Sequence, residues 1–235
     1  MDYQGGKMKK LVLIVMALVL ICMAFAGCAN TDANGPAASD KADETAKPTA
    51  TEEVKPTEKP VVIPDEAQIE EMLPYMDSVM LTLLEGNYTK HDVTNADYFW
   101  TLMYYHCVNH ADEIEKAVYD QNAGTITVPE DEISAMAGAF FLEFSKLPEL
   151  PKKDMMSYDE KNKSYVFMDS DRGESGSEIG ATALEDDAAY VTAQLVNMES
   201  GDILMSCQFT IIGSYNDTTG RYPFTIVTAE PEEIG

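Results

Sequence analysis

The chain has 235 residues, with 41 acidic side chains against 16 Lys and Arg, so its formal net charge is −25. A general nucleic-acid binder needs a basic surface to replace the counterions of the phosphates, and this composition excludes that class. The first quarter of the chain has no globular pattern, which leaves room for one folded core. We therefore expect one domain behind an N-terminal leader, and no nucleic-acid partner.

The first 27 residues have the pattern of an export signal. Lys9 and Lys10 precede an unbroken apolar run at residues 11–26. This run is shorter than the roughly 20 residues of a permanent membrane-spanning helix. Residues 4–7 can be encoded by a purine-rich ribosome-binding sequence, which favours a translation start at Met8.

Residues 25–28, Phe-Ala-Gly-Cys, resemble the lipobox of bacterial lipoproteins. The resemblance covers residues 8–28 and implies that Cys28 receives a diacylglyceryl group before the signal peptide, 1–27, is removed. Two acyl chains are enough for stable membrane attachment. The resemblance thus implies a lipid anchor at Cys28 and a location on the extracytoplasmic face of the cell membrane. The alternative is ordinary cleavage after the Ala-Phe-Ala of residues 24–26, which would release a soluble protein.

Residues 28–64 are predicted to form a disordered linker behind the anchor. They are rich in Thr, Ala, Pro, Lys, Asp and Glu and contain no aromatic residue. Such a composition cannot bury enough apolar area to offset the chain entropy. The folded domain is expected at residues 65–235, which carry 33 acidic and 9 basic side chains, a net charge of −24. We interpret this charge as a solubility feature, with a dedicated cationic partner as the alternative.

The domain is predicted to begin with a helix. Asp65 and Gln68 form the pattern of a capping box, and apolar residues follow at helical spacing as far as Gly86. Pro74 interrupts this pattern, so the helix is expected to be kinked or split there.

Two further helices are predicted. One begins at Thr94 and keeps a 3.6-residue apolar period to about residues 122–124. The other has the start signals Thr127 and Glu130 and ends before Pro148.

The apolar period then changes from 3.6 to 2, which is typical of strands. A short strand is predicted before the third helix, and five more after it: 125–128, 164–168, 178–184, 189–197, 202–213 and 222–229. This order predicts an α+β fold, with N-terminal helices packed on one face of a curved antiparallel sheet. The element order over residues 65–230 resembles the cone-shaped NTF2-like fold. That resemblance implies a concave pocket between sheet and helices, which some members use for catalysis and others for binding or pairing.

His106, His110 and Glu113 have a spacing that can place two imidazoles and a carboxylate on neighbouring helical turns around a metal. Cys107 stands where the zinc-protease motif requires Glu, so the general base of that mechanism is missing. His110 also belongs to the apolar stripe of the helix. We favour core histidines over a metal site.

An acidic loop is the second candidate site. Its carboxylates are typical of calcium ligands, but Gly173 and Gly180 occupy the fifth and twelfth positions and break the EF-hand order. We favour a solvated hairpin loop. The residues are Asp169, Asp171, Glu174 and Glu178.

Tyrosines are plentiful and suit sugar stacking or protein contact, although core and rim packing is the favoured interpretation. They include Tyr98, Tyr104, Tyr105, Tyr165, Tyr190 and Tyr222. Cys107 and Cys207 both lie on predicted buried faces, so we expect buried, reduced thiols, although a bridge is geometrically permitted.

No nucleophile elbow, phosphate loop or paired CxxC motif is present in the sequence. We predict a surface lipoprotein, not an enzyme, whose domain binds an unknown protein or small ligand without a cofactor or a metal. One alternative is a pocket hydrolase or isomerase on an NTF2-like frame, with His106 and His110 as its visible acid or base candidates. Another is an accessory subunit of an envelope complex.

Overall fold

The computed structural model describes residues 62–92, 94–142, 144–170, 173–214 and 220–232. Every element named below lies within these ranges. The signal peptide, Cys28 and the linker as far as residue 61 lie outside the described residues, and the expectations for them stay predictions.

The first predicted helix forms as two pieces. Helix α1 spans Glu66–Glu71 and helix α2 spans Leu73–Glu85. Asp65 and Gln68 make the predicted capping box, in which each side chain accepts the other residue's backbone N–H. Pro74 lies in the first turn of α2, where its missing N–H removes no helical hydrogen bond. The split beside the proline is therefore confirmed.

The second predicted helix, α3, spans Ala96–Asn109. Its N-cap is Asn95 and not Thr94 as predicted. The Asn95 side chain accepts the backbone N–H of Asp97 at 2.9 Å. Asn and Thr are both good N-cap residues, so the position at which the backbone turns into the helix decides which of the two caps it.

The predicted end of this helix at residues 122–124 is wrong. After α3 the chain makes a short 3₁₀ turn, Ala111–Glu113, and then a hairpin of β1, Val118–Asp120, and β2, Thr125–Pro129. Ile114, the residue after this turn, is buried, with 5% of its surface exposed. One buried side chain fits the apolar period of a helix whether or not the backbone is helical, so this period predicts a helix that is too long.

The third predicted helix, α4, spans Glu130–Phe140. Its N-cap is Pro129 without a side-chain hydrogen bond, because Thr127 belongs to β2 and does not cap the helix as predicted. The helix also ends earlier than predicted. Its Phe140 carbonyl accepts a hydrogen bond from His91 Nε2, 2.7 Å away, in place of the backbone N–H that a longer helix would supply.

Eight strands form two antiparallel sheets in the described part of the chain. The first sheet has the order β1-β2-β4-β3, with β3 at Met156–Asp159 and β4 at Ser164–Met168. The second is a meander, β5-β6-β7-β8, with strands at Ser175–Leu184, Ala189–Asn197, Ile203–Gly213 and Phe224–Glu232. The predicted α+β class is confirmed, and its strands are divided between two four-stranded sheets. The sequence does not predict β1 and β3, which are short, largely exposed edge strands without apolar alternation.

The core lies between the helices and both sheets, since Val128 of β2 and Phe167 of β4 belong to the same buried cluster as residues of the second sheet. Helix α2 contacts β5, β6 and β7, while α4 contacts β8. Alternate residues of β6 are fully buried, which is the expected pattern for a sheet covered on one face. These buried residues are Ala189, Val191, Ala193 and Leu195. Among the described residues, no helix combines the length and the apolar character needed to cross a membrane.

Candidate functional site

His106 belongs to the core. Only 1% of its surface is exposed, its Nδ1 lies 2.9 Å from Ser78 Oγ, and its ring stacks on Tyr75 at 4.8 Å between centroids. Burial, followed by the neighbouring His110, lowers the pKa of His106 to about 3. A neutral imidazole buried in this way packs the interface of α2 and α3 and is not available to solvent.

His110 points away from that core, at the C-cap of α3. Its Nε2 lies 3.0 Å from Asp77 Oδ2, and its Nδ1 lies 3.5 Å from Glu113 Oε1. The structure therefore brings His110 and Glu113 together as the spacing suggests. Within the described ranges, no group of three or more His, Cys, Asp or Glu side chains is placed to hold a metal ion.

The sequence patterns did not indicate two residues of this site, Asp77 and Ser177. Asp77 Oδ2 faces His110, and Asp77 Oδ1 accepts a hydrogen bond from the Ser177 hydroxyl of β5. These contacts join residues 33 and 100 positions apart in the chain. One signal was present: Asp77 is an acidic residue in the apolar stretch of α2, and a carboxylate there needs polar partners.

These three side chains form one wall of a cleft of about 410 Å³, which we name the Asp77 cleft. The cleft lies between α2, the end of α3 and the first residues of β5. Its lining residues are Glu70, Leu73, Pro74, Asp77, Leu81, Asn109, His110, Ser175, Gly176 and Ser177. The exposed fractions of the Asp77 and His110 side chains are 13% and 17%, so both can be reached from solvent.

The order of the hydrogen bonds decides what the cleft can do chemically. Asp77 lies between Ser177 and His110, whereas activation of a serine nucleophile requires the histidine to contact the hydroxyl. In the Asp77 cleft both neighbours contact the same carboxylate. This arrangement leaves the remaining lone pairs of the Asp77 carboxylate and of the Ser177 hydroxyl oxygen for hydrogen bonds from a ligand.

A second cleft, of about 430 Å³, adjoins the first. The two share Leu81, Asn109 and Ser175 as lining residues. The wall of the second cleft is about as polar as it is apolar, and its apolar side chains include Leu84, Tyr104, Tyr105, Met155 and Leu204. We call the two clefts together the α2 groove.

The acidic loop does not converge on one point. Asp169 accepts a hydrogen bond from Tyr119 at 2.7 Å, Glu174 lines the second cleft, and Glu178 is exposed on β5. Asp171 lies outside the described residues. The tyrosines are also distributed: Tyr98, Tyr104, Tyr165 and Tyr222 are buried at separate places in the core, while Tyr190 is partly buried on β6. Tyr104 and Tyr105 both line the second cleft.

His91 and Glu132 are polar groups used for structure. Burial lowers the pKa of His91 to about 4; its Nε2 donates to a backbone carbonyl of α4, and its Nδ1 lies 2.7 Å from Tyr98 Oη. Glu132 has no exposed surface, and its carboxylate binds the Arg221 guanidinium and the Tyr222 hydroxyl, each at 2.7 Å. These contacts connect α4 to His91 on one side and to Arg221 and Tyr222 on the other.

Cys107 and Cys207 are both free thiols without exposed surface. Burial raises the pKa of Cys207 to about 12 and that of Cys107 further. Since the thiolate is the reactive form, neither cysteine is a candidate nucleophile.

No protein-family model matches the chain, and no curated protein or solved structure matches it either. The lipobox of residues 25–28 and the NTF2-like element order stay predictions from the sequence.

Proposed function

We propose that this chain is a membrane-anchored, extracytoplasmic lipoprotein whose α+β domain binds a small ligand in the Asp77 cleft. The apolar run at residues 11–26 and the lipobox-like residues 25–28 support the anchor. The polar, proline-containing residues 28–64 support a linker that holds the domain away from the membrane surface.

The observation that carries the proposal is the convergence of Asp77, His110 and Ser177 on one cleft wall. They come from three different elements, so the fold and not the local sequence assembles them. A volume of about 410 Å³ falls within the range of small-molecule sites. The remaining wall is largely apolar, and a few polar groups on an apolar surface are typical of sites that orient a ligand.

Binding explains this geometry better than catalysis does. A hydrolase or isomerase needs an acid or base held against a reacting group by a second group. Here the imidazole of His110 is directed to Asp77 and Glu113, and the buried His106 lies outside the cleft lining. A binding site requires only shape and satisfied hydrogen bonds, which the cleft supplies.

The test is ligand-induced stabilisation of the mature protein in a non-ionic detergent. The thermal unfolding temperature is measured against a panel of amino acids, monosaccharides, dicarboxylates and linear diamines. A ligand present at 100 times its dissociation constant stabilises the folded state by about 2.7 kcal/mol, which is a readily measured shift.

The matched variants are Asp77→Asn, in the cleft, and Asp112→Asn, an exposed carboxylate outside it. We expect at least one compound to stabilise the wild type and Asp112→Asn and to lose its effect in Asp77→Asn. If no compound stabilises the wild type, or if every effect is equal in the two variants, the proposed function is wrong.

A further inference from the structure

We propose that the ligand of the α2 groove is a linear diamine or polyamine, whose two terminal ammonium groups bind carboxylates at opposite ends of the groove. This inference rests on the proposed function and names the chemical class of its ligand. It follows from charge, spacing and the apolar surface between the charges.

The charged side chains that line the groove are acidic among the residues that the structure describes. Glu70 and Asp77 line the first cleft, and Glu85 and Glu174 line the second. Among the described residues that line either cleft, none is Lys or Arg, and His110 is the only other ionisable base. A groove of this kind attracts cations and repels anionic ligands.

The carboxylates are separated along one helix. Asp77 and Glu85 are eight positions apart on α2, which places them about 12 Å apart along the helix axis at a rise of about 1.5 Å per residue. An alkyl chain of about eight carbons in its extended form spans a similar distance. Both carboxylates can therefore be reached by one linear ligand with a cation at each end.

Two leucines that line the groove lie between the two carboxylates on α2. Leu81 and Leu84 follow Asp77 at i+4 and i+7, so all three lie along one side of α2. Leu81 is shared by both clefts, and Leu84 has 36% of its surface exposed in the second. Methylene groups lose contact with water on such a wall, which favours an alkyl chain over a sugar. The Tyr104 and Tyr105 rings line the same cleft and add aromatic surface close to the second ammonium position.

The experiment is calorimetric titration of the mature protein, in a non-ionic detergent, with three probes. Octamethylenediamine has the matching length, putrescine is a diamine half as long, and suberate has a similar length with reversed charge. We expect saturable binding of octamethylenediamine, at least tenfold weaker binding of putrescine, and no binding of suberate. Binding should weaken when the salt concentration rises, since the contacts are electrostatic.

Single-residue variants test whether octamethylenediamine binds in the α2 groove. Asp77→Asn should weaken octamethylenediamine binding about tenfold, and Glu85→Gln about threefold because Glu85 is exposed. The matched control is Glu71→Gln, an exposed carboxylate of α1 that lines neither cleft, and it should leave binding unchanged. If Asp77→Asn fails to fold, Glu70→Gln tests the same end of the groove from an exposed position.

The inference is overturned if suberate binds as well as the diamine, if putrescine binds equally, or if none of the groove variants weakens binding. Its failure can be told apart from that of the proposed function. If octamethylenediamine does not bind but another compound does, and Asp77→Asn abolishes that binding, the cleft is a ligand site for a different chemical class. If no compound binds the cleft, both the proposed function and the diamine proposal are wrong.

Discussion

Replacing His106 by Asn should reduce the acid sensitivity of this protein. Asn keeps a hydrogen-bonding group near the position of Nδ1, which faces Ser78 at 2.9 Å, and it removes the only titrating group of that buried pair. The substitution leaves unfilled space in the core and lowers stability at every pH. The informative quantity is therefore the slope of stability against pH and not its absolute value.

The magnitude follows from the pKa of His106, which burial lowers from an ordinary 6.5 to about 3. Below pH 6.5 the unfolded chain binds a proton at this position and the folded chain does not, so protonation favours unfolding. The stabilising effect of the neutral ring is complete above pH 6.5 and declines as the pH falls towards 3. Each pH unit costs about 1.4 kcal/mol, or about 3 kcal/mol between pH 6.5 and pH 4. That is a large fraction of the stability of a typical domain.

The assay is urea unfolding at several pH values between 4 and 7.5, followed by the fluorescence of Trp100. This residue is the only tryptophan of the chain and has no exposed surface, so its emission reports unfolding of the core. Carboxylates contribute equally to wild type and variant, and their effect cancels in the difference. Between pH 6 and pH 4, the unfolding free energy of the wild type should fall more steeply than that of His106→Asn by about 1.4 kcal/mol per pH unit.

Ser78→Ala is the matched control, because it removes the hydrogen-bond partner at 2.9 Å but keeps the buried imidazole. It should lower stability and retain the steep slope of the wild type. Equal slopes for wild type and His106→Asn would show that His106 is protonated in the folded protein, and the reasoning from burial would be refuted.

Three further outcomes are expected. Mass spectrometry of the mature protein should find a lipid-modified Cys28, and Cys28→Ala should give an uncleaved or soluble product; an unmodified N-terminus one residue earlier would indicate ordinary secretion instead. Cys107 and Cys207 should both react with a thiol reagent without reductant, but only after unfolding, since both are free and buried; no reaction would reveal a bridge. Glu132→Gln should cost about 2 kcal/mol because it removes the charge of a fully buried carboxylate that binds the partly exposed Arg221, against under about 0.5 kcal/mol for the exposed Glu115→Gln, both measured by urea unfolding. An equal loss of unfolding free energy in the two variants would show that the buried carboxylate stabilises the fold no more than the exposed one.

Local patterns determined much of the fold. The capping box at Asp65 and the split beside Pro74 depend only on residues within one helical turn, and both are present as predicted. The strand β6 has the predicted bounds, Ala189–Asn197, because alternate side chains along a strand face a buried and an exposed surface. The α+β class follows from the change of apolar period between the two halves of the domain.

Tertiary contacts decided what local patterns leave open. The strands β1 and β3 exist because neighbouring strands pair with them, and their own exposed residues carry no period. The end of α3 is another case. Ile114 is buried although it follows a 3₁₀ turn, and the apolar pattern does not distinguish that position from a helical one.

The candidate site shows the same division most clearly. His106 and His110 are four residues apart on or beside one helix, and nothing in that spacing says which of them is buried. Packing against Tyr75 places His106 in the core. Asp77 contacts His110 from 33 positions away in the chain, and Ser177 donates to Asp77 from 100 positions away. The sequence alone determined the acidic character and the fold class, because these depend on composition and on short periods, and it predicts the signal peptide in the same way. Only the tertiary structure placed Asp77 in a cleft, because contacts between distant residues leave no periodic trace along the chain.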